Sequence, residues 1–208
     1  MALKIKICGI TRLKDAQLCV EYGVDAIGFV FYRKSKRYIT PDEAYNIAKS
    51  LPIFTHKVGV FVNESYNEVN NIAESVGLTA VQLHGNESPE YTAEIKHPVI
   101  KAFGVDKNFD FSQTTQYTNS AILLDVKNTM EYGGTGKSFD WKLIPESIRN
   151  RVIVAGGISA RNIKNMYNTI APYAVDLSSS VEIEPGIKDA KKIIEIMNII
   201  KQINNKNE

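Results

Sequence analysis

The chain has 208 residues, enough to bury a core without help from disulfides or metal. Its 25 Lys plus Arg against 23 Asp plus Glu leave a net charge of only +2, so no general field invites nucleic acid or an anionic membrane, and any anion must be held by a local site. Two cysteines, Cys8 and Cys19, do not make a disulfide framework; no apolar run approaches the roughly 18 residues that span a bilayer; and the start, Met1 to Lys6, lacks a signal-peptide pattern. A cytoplasmic location is expected.

Short runs rich in β-branched and aromatic residues recur along the chain, each ending in or just before Gly, Asn, Asp, Ser or a similar polar position. In order they are 5–8 (IKIC), 26–31, 57–62, 80–84, 99–103, 121–125, 152–156 and 174–178. Amphipathic stretches separate them. In 13–23, Leu13, Ala16, Val20 and Cys19 are expected to share a buried face. Thr40-Pro41-Asp42-Glu43 has the pattern of a helix start with a capping box. Residues 109–118 have poor helix propensity, so the element after the fifth strand should be short or irregular. The last helix is expected over about 187–203, with 203–208 a frayed tail.

Strand and helix alternate from end to end with no linker, which predicts one domain over 1–208. Eight strands favour a closed (β/α)8 barrel of TIM type over an open sheet, and in such a barrel chemistry belongs at the C-terminal strand ends. Those ends carry Cys8, Asn63, His84, Asp125, Gly156-Gly157 and Ser178-Ser179-Ser180. Zinc ligation by Cys8, His84 and Asp125 lacks a clustered ligand spacing. A Cys8/His84 nucleophile pair would have to reach across the lumen. A thiolate and a carboxyl moving protons on opposite sides of a bound sugar is the preferred reading, and simple packing of Cys8 is the plain one. Cys19, mid-helix, is read as packing.

Gly156-Gly157 and Ser179-Ser180 follow strands seven and eight, where barrels often bind phosphate through backbone N–H groups and hydroxyls. Of the basic run Arg33, Lys34, Lys36 and Arg37, one arginine could grip a substrate carboxylate. The segment Tyr132 to Lys137 lacks Walker spacing and is read as a glycine-hinged lid.

KICGIT at 6–11, GFVFY at 28–32, SKRYIT at 35–40, VGVFVN at 58–63, VQLHG at 81–85, LLD at 123–125, GGTGKSFDW at 133–141, AGGI at 155–158 and VDLSSSVE through PGIKD at 175–189 together resemble the phosphoribosylanthranilate isomerase family over nearly the whole chain. The resemblance implies a cofactor-free and metal-free Amadori rearrangement in tryptophan biosynthesis, acting on a phosphorylated small molecule. It implies Cys8 as general base, Asp125 as general acid, Arg37 on the anthranilate carboxylate, His84 and Asp176 as further substrate contacts, and Gly156, Gly157, Ser179 and Ser180 on the phosphate. A monomer or homodimer without nucleic-acid or membrane partners is expected. Two positions depart from the family pattern: Ser180 replaces the usual Gly, and Arg33 stands where many relatives carry Pro.

Two rivals are weighed. A histidine-pathway isomerase on the same fold usually uses two carboxylates and two phosphate loops, which Cys8 and the missing second Gly-rich loop disfavour. A noncatalytic phosphometabolite-binding barrel would tolerate loss of Cys8 or Asp125. Strand alternation adds one expectation: Lys6, Gln82 and Asp176 lie one layer below the rim, joined by Lys101 if Phe103 faces inward, with Asp176 paired to Lys6 or Lys101.

Overall fold

The computed structural model describes residues 2–126 and 140–206. Eight parallel strands close on themselves in chain order: β1 (Lys4–Cys8), β2 (Ala26–Val30), β3 (His56–Phe61), β4 (Ala80–Leu83), β5 (Val99–Val105), β6 (Ser120–Val126), β7 (Val152–Val154) and β8 (Ala174–Leu177). This is the (β/α)8 architecture that the alternation of the sequence implies. The strand ends shift slightly from expectation, because β4 stops at Leu83, β7 at Val154 and β8 at Leu177. His84, Gly156-Gly157 and Ser178 therefore begin the loops above the barrel.

The outer layer consists of α1 (Leu13–Glu21), α2 (Pro41–Ala48), α3 (Tyr66–Val76), α4 (Pro89–Ala93), α5 (Ile163–Ile170) and α6 (Ala190–Asn205). After β5 the chain makes only a 3-10 turn, Phe111–Gln116, as the weak propensity of that segment suggests. Thr40 starts α2 through a full capping box with Glu43. The buried face of α1 is Asp15, Ala16 and Cys19; Leu13 is exposed, contrary to expectation, and Asp15 is buried, paired with Arg12 and accepting from the Lys188 N–H. Beyond β8 a small hairpin, β9 (Glu182–Glu184) and β10 (Ile187–Lys188), folds back over β1.

The lumen and the outer core are separate apolar clusters. Ala102, Leu123, Ile153, Ala155 and Ala174 pack inside the barrel with Ile100, while the larger cluster lies between strands and helices. That phase puts Ile100 and Ala102 of β5 inside, and Lys101 and Phe103 outside. No helix among the described residues is long and apolar enough to cross a membrane.

The chain end is more ordered than its polar composition suggests. Helix α6 runs to Asn205, Ile203 is buried, and Asn204 clasps Leu3, accepting from its N–H at 2.7 Å and donating to its carbonyl at 3.3 Å. Of the tail expected to fray from 203, residues 203–205 belong to α6, and 207–208 lie outside the described residues. Because this clasp ties the last helix to the entry of β1, Asn204→Ala is expected to cost about 1–2 kcal/mol, read as a lowered urea midpoint with unchanged slope.

Candidate active site

One pocket at the C-terminal end of the barrel is lined by Cys8, Arg37, His84, Asp125, Gly156, Gly157, Ser179 and Ser180, with Gln82 and Asp176 deeper in. Every residue expected to act on or bind substrate lies on it. Cys8 closes β1, and Asp125 projects from β6 on the far side of the barrel. Asn63 is different: its side chain accepts from Asn86 N–H and its own N–H donates to Glu87, so it ties two loops together.

The floor is ionic. Lys6 and Asp176 are register partners across β1 and β8, and Lys6 Nζ lies 2.8 Å from Asp176 Oδ2 with both side chains almost fully buried. The Lys6 charge also acts on Cys8, drawing its thiol down. The two side chains stand together over Gly28, where a Cβ would come within 2.9 Å of the sulfur and 3.1 Å of Lys6 Cε. Burial pulls the Lys6 ammonium down, but Asp176 and Cys8 more than restore it, so it stays charged.

The Lys6 half of the expected pairing holds and the Lys101 half does not. Lys101 points out of the lumen, donating to Gly85 O and Glu87 Oε2, each at 2.7 Å. The phase of β5, which gives its inward positions to Ile100 and Ala102, is the reason.

Cys8 sits in a mixed field. Burial pushes its thiol up, Lys6 and Lys188 pull it down, Asp176 pushes it up again, and the balance lies above the ordinary thiol value. The cationic surroundings expected of a thiolate are present, but desolvation outweighs them. Cys19 is sealed in the core, with its thiol pushed up to about 12 mainly by burial, as a packing residue should be.

Across the pocket, Gln82 Nε2 donates to His84 Nδ1 at 3.0 Å, which leaves the proton of a neutral imidazole on Nε2, 3.5 Å from Asp125 Oδ2. The Asp125 carboxylate is set by its own strand end, accepting from Val126 N–H at 2.7 Å. Gly156 makes room for it: its φ is +78°, and a Cβ there would lie 2.5 Å from Asp125 Oδ1.

On the rim, Asn162 Nδ2 holds the Gly157 carbonyl at 2.8 Å. The backbone N–H groups of Gly157, Ser179 and Ser180 have no acceptor among the described residues. On the floor, Gln82 Oε1 and Asp176 Oδ1 are buried acceptors without a donor among the described residues. Unpaired acceptors below and unpaired donors above suit a polyhydroxylated, anionic ligand.

A sequence model described as N-(5'-phosphoribosyl)anthranilate (PRA) isomerase matches residues 5–199. The N-(5'-phosphoribosyl)anthranilate isomerase of Pelobacter propionicus is 45% identical over 201 residues, covering 96% of each chain. The chain belongs to the phosphoribosylanthranilate isomerase family.

Solved structures agree with that membership. The phosphoribosyl anthranilate isomerase of Thermotoga maritima superposes with a TM-score of 0.90 at 45% identity, covering 96% of this chain and 99% of its own. A phosphoribosyl anthranilate isomerase in complex with reduced 1-(o-carboxyphenylamino)-1-deoxyribulose 5-phosphate superposes at 0.86 with 42% identity, covering 96% and 99%.

The departures from the phosphoribosylanthranilate isomerase pattern are benign in backbone terms. Among the described residues only Asn63 and Ala171 adopt positive φ without being glycine, so the backbone at Ser180 does not demand one. Arg33 is exposed and stacks over the Tyr38 ring at 5.9 Å. The expected lid at 132–137 lies outside the described residues.

Sequence reasoning missed Glu182 and Lys188. Glu182 holds Arg37, and Lys188 donates to both Glu182 and the Cys8 carbonyl. Both lie in the VDLSSSVE and PGIKD segments that resemble the family, but a pair of charges six apart flanking a Pro-Gly turn does not show what they hold.

The field around Cys8 can be read by alkylation, since Cys19 is inaccessible. Lys6→Met should move the pH profile of iodoacetamide modification of Cys8 upward by removing the nearest cation. Asp176→Asn should move it downward by removing the anion. Shifts of the same sign would show that the floor pair does not set the thiol.

Proposed function

We propose that this chain catalyses the Amadori rearrangement of N-(5'-phosphoribosyl)anthranilate to 1-(2-carboxyphenylamino)-1-deoxyribulose 5-phosphate, without a cofactor. The observation that carries this reading is the lining of one pocket by a cysteine and an aspartate from opposite sides of the barrel, between an arginine and a rim of backbone N–H groups that have no acceptor among the described residues. It fits a bifunctional anion with a sugar at its centre.

In this reading Asp125 gives its proton to the furanose ring oxygen, and the C1–O bond breaks as the nitrogen lone pair forms a protonated Schiff base. The Cys8 thiolate then takes the C2 proton, and the released electron pair forms a C1–C2 double bond and neutralises the nitrogen. The resulting enolamine tautomerises, C1 gaining a proton and the C2 hydroxyl losing one, to give the ketone. C1 is reduced and C2 oxidised within one molecule, so no outside electron acceptor is needed. Arg37 binds the anthranilate carboxylate, and Gly156, Gly157, Ser179 and Ser180 surround the phosphate. His84 and Asp176 meet the ribose, for which the unpartnered Asp176 Oδ1 and Gln82 Oε1 offer acceptors to its hydroxyls.

The protein is proposed to work in the cytoplasm as one domain, as a monomer or homodimer, with a small-molecule substrate and no nucleic-acid or membrane partner; its near-neutral charge supports this. Cys8→Ser and Asp125→Asn should each lower turnover of freshly generated phosphoribosylanthranilate by about 10²–10⁴-fold while leaving the circular dichroism spectrum unchanged. Near-normal turnover in both variants would favour a barrel in which neither group reacts and would sink the assignment.

A further inference from the structure

The hairpin after β8 carries a buried ionic array that the rearrangement itself does not use. Glu182 Oε2 lies 2.7 Å from Arg37 Nη2 and 3.1 Å from Arg37 Nε, while its Oε1 takes Arg37 Nε at 3.0 Å, Lys188 Nζ at 2.7 Å and Gly186 N–H at 3.2 Å. The Glu182 side chain is 3% exposed and that of Lys188 0%. Lys188 Nζ also donates to the carbonyl of Cys8, and Lys192 Nζ donates to the Glu182 carbonyl at 2.6 Å.

The edge on which Arg37 is held matters. A guanidinium has a side edge, Nε with one terminal nitrogen, and an end edge formed by both terminal nitrogens. Glu182 occupies the side edge, and Nη1 has no partner among the described residues. The arginine stem is fixed as well, because it crosses bare backbone at Gly9, where a Cβ would lie 2.5 Å from Arg37 Cδ. Arg37 lines the pocket beside Cys8, so its end edge is the one available to a carboxylate there.

We infer that Glu182 is a positioning residue for substrate binding: it clamps the side edge of Arg37, aims the end edge at the anthranilate carboxylate, and through Lys188 ties that clamp to the backbone of Cys8. This rests on Arg37 being the carboxylate-binding group. The array suits the task because Glu182 keeps its charge. Burial pushes its carboxyl up, but hydrogen bonds and charge from Arg37 and Lys188 outweigh burial and hold it below the ordinary carboxylate value. A free arginine would lose rotamer entropy on meeting a ligand; one already clamped loses less.

The test is a double-mutant cycle on the full-length protein with phosphoribosylanthranilate as substrate. Glu182→Gln should raise KM by about 10- to 100-fold with kcat changed less than about threefold, and Glu182→Asp should recover part of the loss. Inhibition by ribose 5-phosphate, which has no carboxylate, should be unchanged. In an Arg37→Ala background Glu182→Gln should add nothing further to KM.

An equal KM penalty with and without Arg37, or a fall in kcat with KM unchanged, would overturn the positioning role. A normal KM in Arg37→Ala alone would instead overturn the assignment of Arg37. If Glu182→Gln does not fold, the Glu182→Asp cycle decides, since that variant keeps the charge and withdraws it by one methylene.

Discussion

The site is built on one buried ion pair, Lys6 with Asp176, at the seam where β8 meets β1. Strand alternation sends both side chains into the lumen, where most neighbours are aliphatic and each charge alone would be costly. Burying such a pair is a poor way to gain stability, because apolar residues of the same volume would serve as well or better. What the pair supplies is a fixed field. Lys6 reaches Asp176 on one side and the sulfur of Cys8 on the other, and Asp176 keeps one oxygen free toward the pocket.

A second ionic array, carried by the hairpin and Arg37, reaches the same strand at its end. Lys188 grips the Cys8 carbonyl from the hairpin side and Ser178 Oγ grips it from β8 at 3.2 Å, so the backbone of the cysteine is held by two donors while its sulfur answers to Lys6. The hairpin is anchored in turn by Thr11, which donates to Gly186 O at 2.6 Å, and by Asp15, which accepts from Lys188 N–H at 3.1 Å. The polar burial of α1, unexpected from its sequence, therefore serves the site: Asp15 faces inward because the hairpin needs an acceptor there.

Legibility from sequence followed the range of the forces involved. The eight strands, the α2 capping box and the irregular segment after β5 follow from local propensity and periodicity, which a sequence displays directly. Cys8, His84, Asp125 and the Gly and Ser rim were legible because a barrel fixes which end of each strand carries chemistry. The pairing of Lys6 with Asp176 followed from alternation, but alternation alone left the phase of β5 open, and Lys101 and Phe103 both face outward because Ile100 and Ala102 fill the lumen. Glu182 and Lys188 were invisible because their partners, Arg37 and Cys8, lie far away in the chain, and only the fold-back of a two-strand hairpin joins them. Asn204 was misread for a similar reason: its bond to Leu3 spans almost the whole sequence.

The two halves of the pocket differ in how they meet a ligand. On the β1 side every cation already has an anion: Lys6 has Asp176, while Arg37 and Lys188 share Glu182. On the β7–β8 rim the donors are neutral N–H groups held in place by backbone and by Asn162. An anionic ligand bridging the two sides thus meets charge that is oriented but compensated at one end, and uncharged dipoles at the other. Such a pocket can hold two negative groups without presenting a strong positive field to solvent, which agrees with a chain whose overall charge is close to neutral. It also leaves the sulfur as the one group along the β1 wall whose charge must change during the proposed reaction, set between a cation that favours the thiolate and an anion that opposes it.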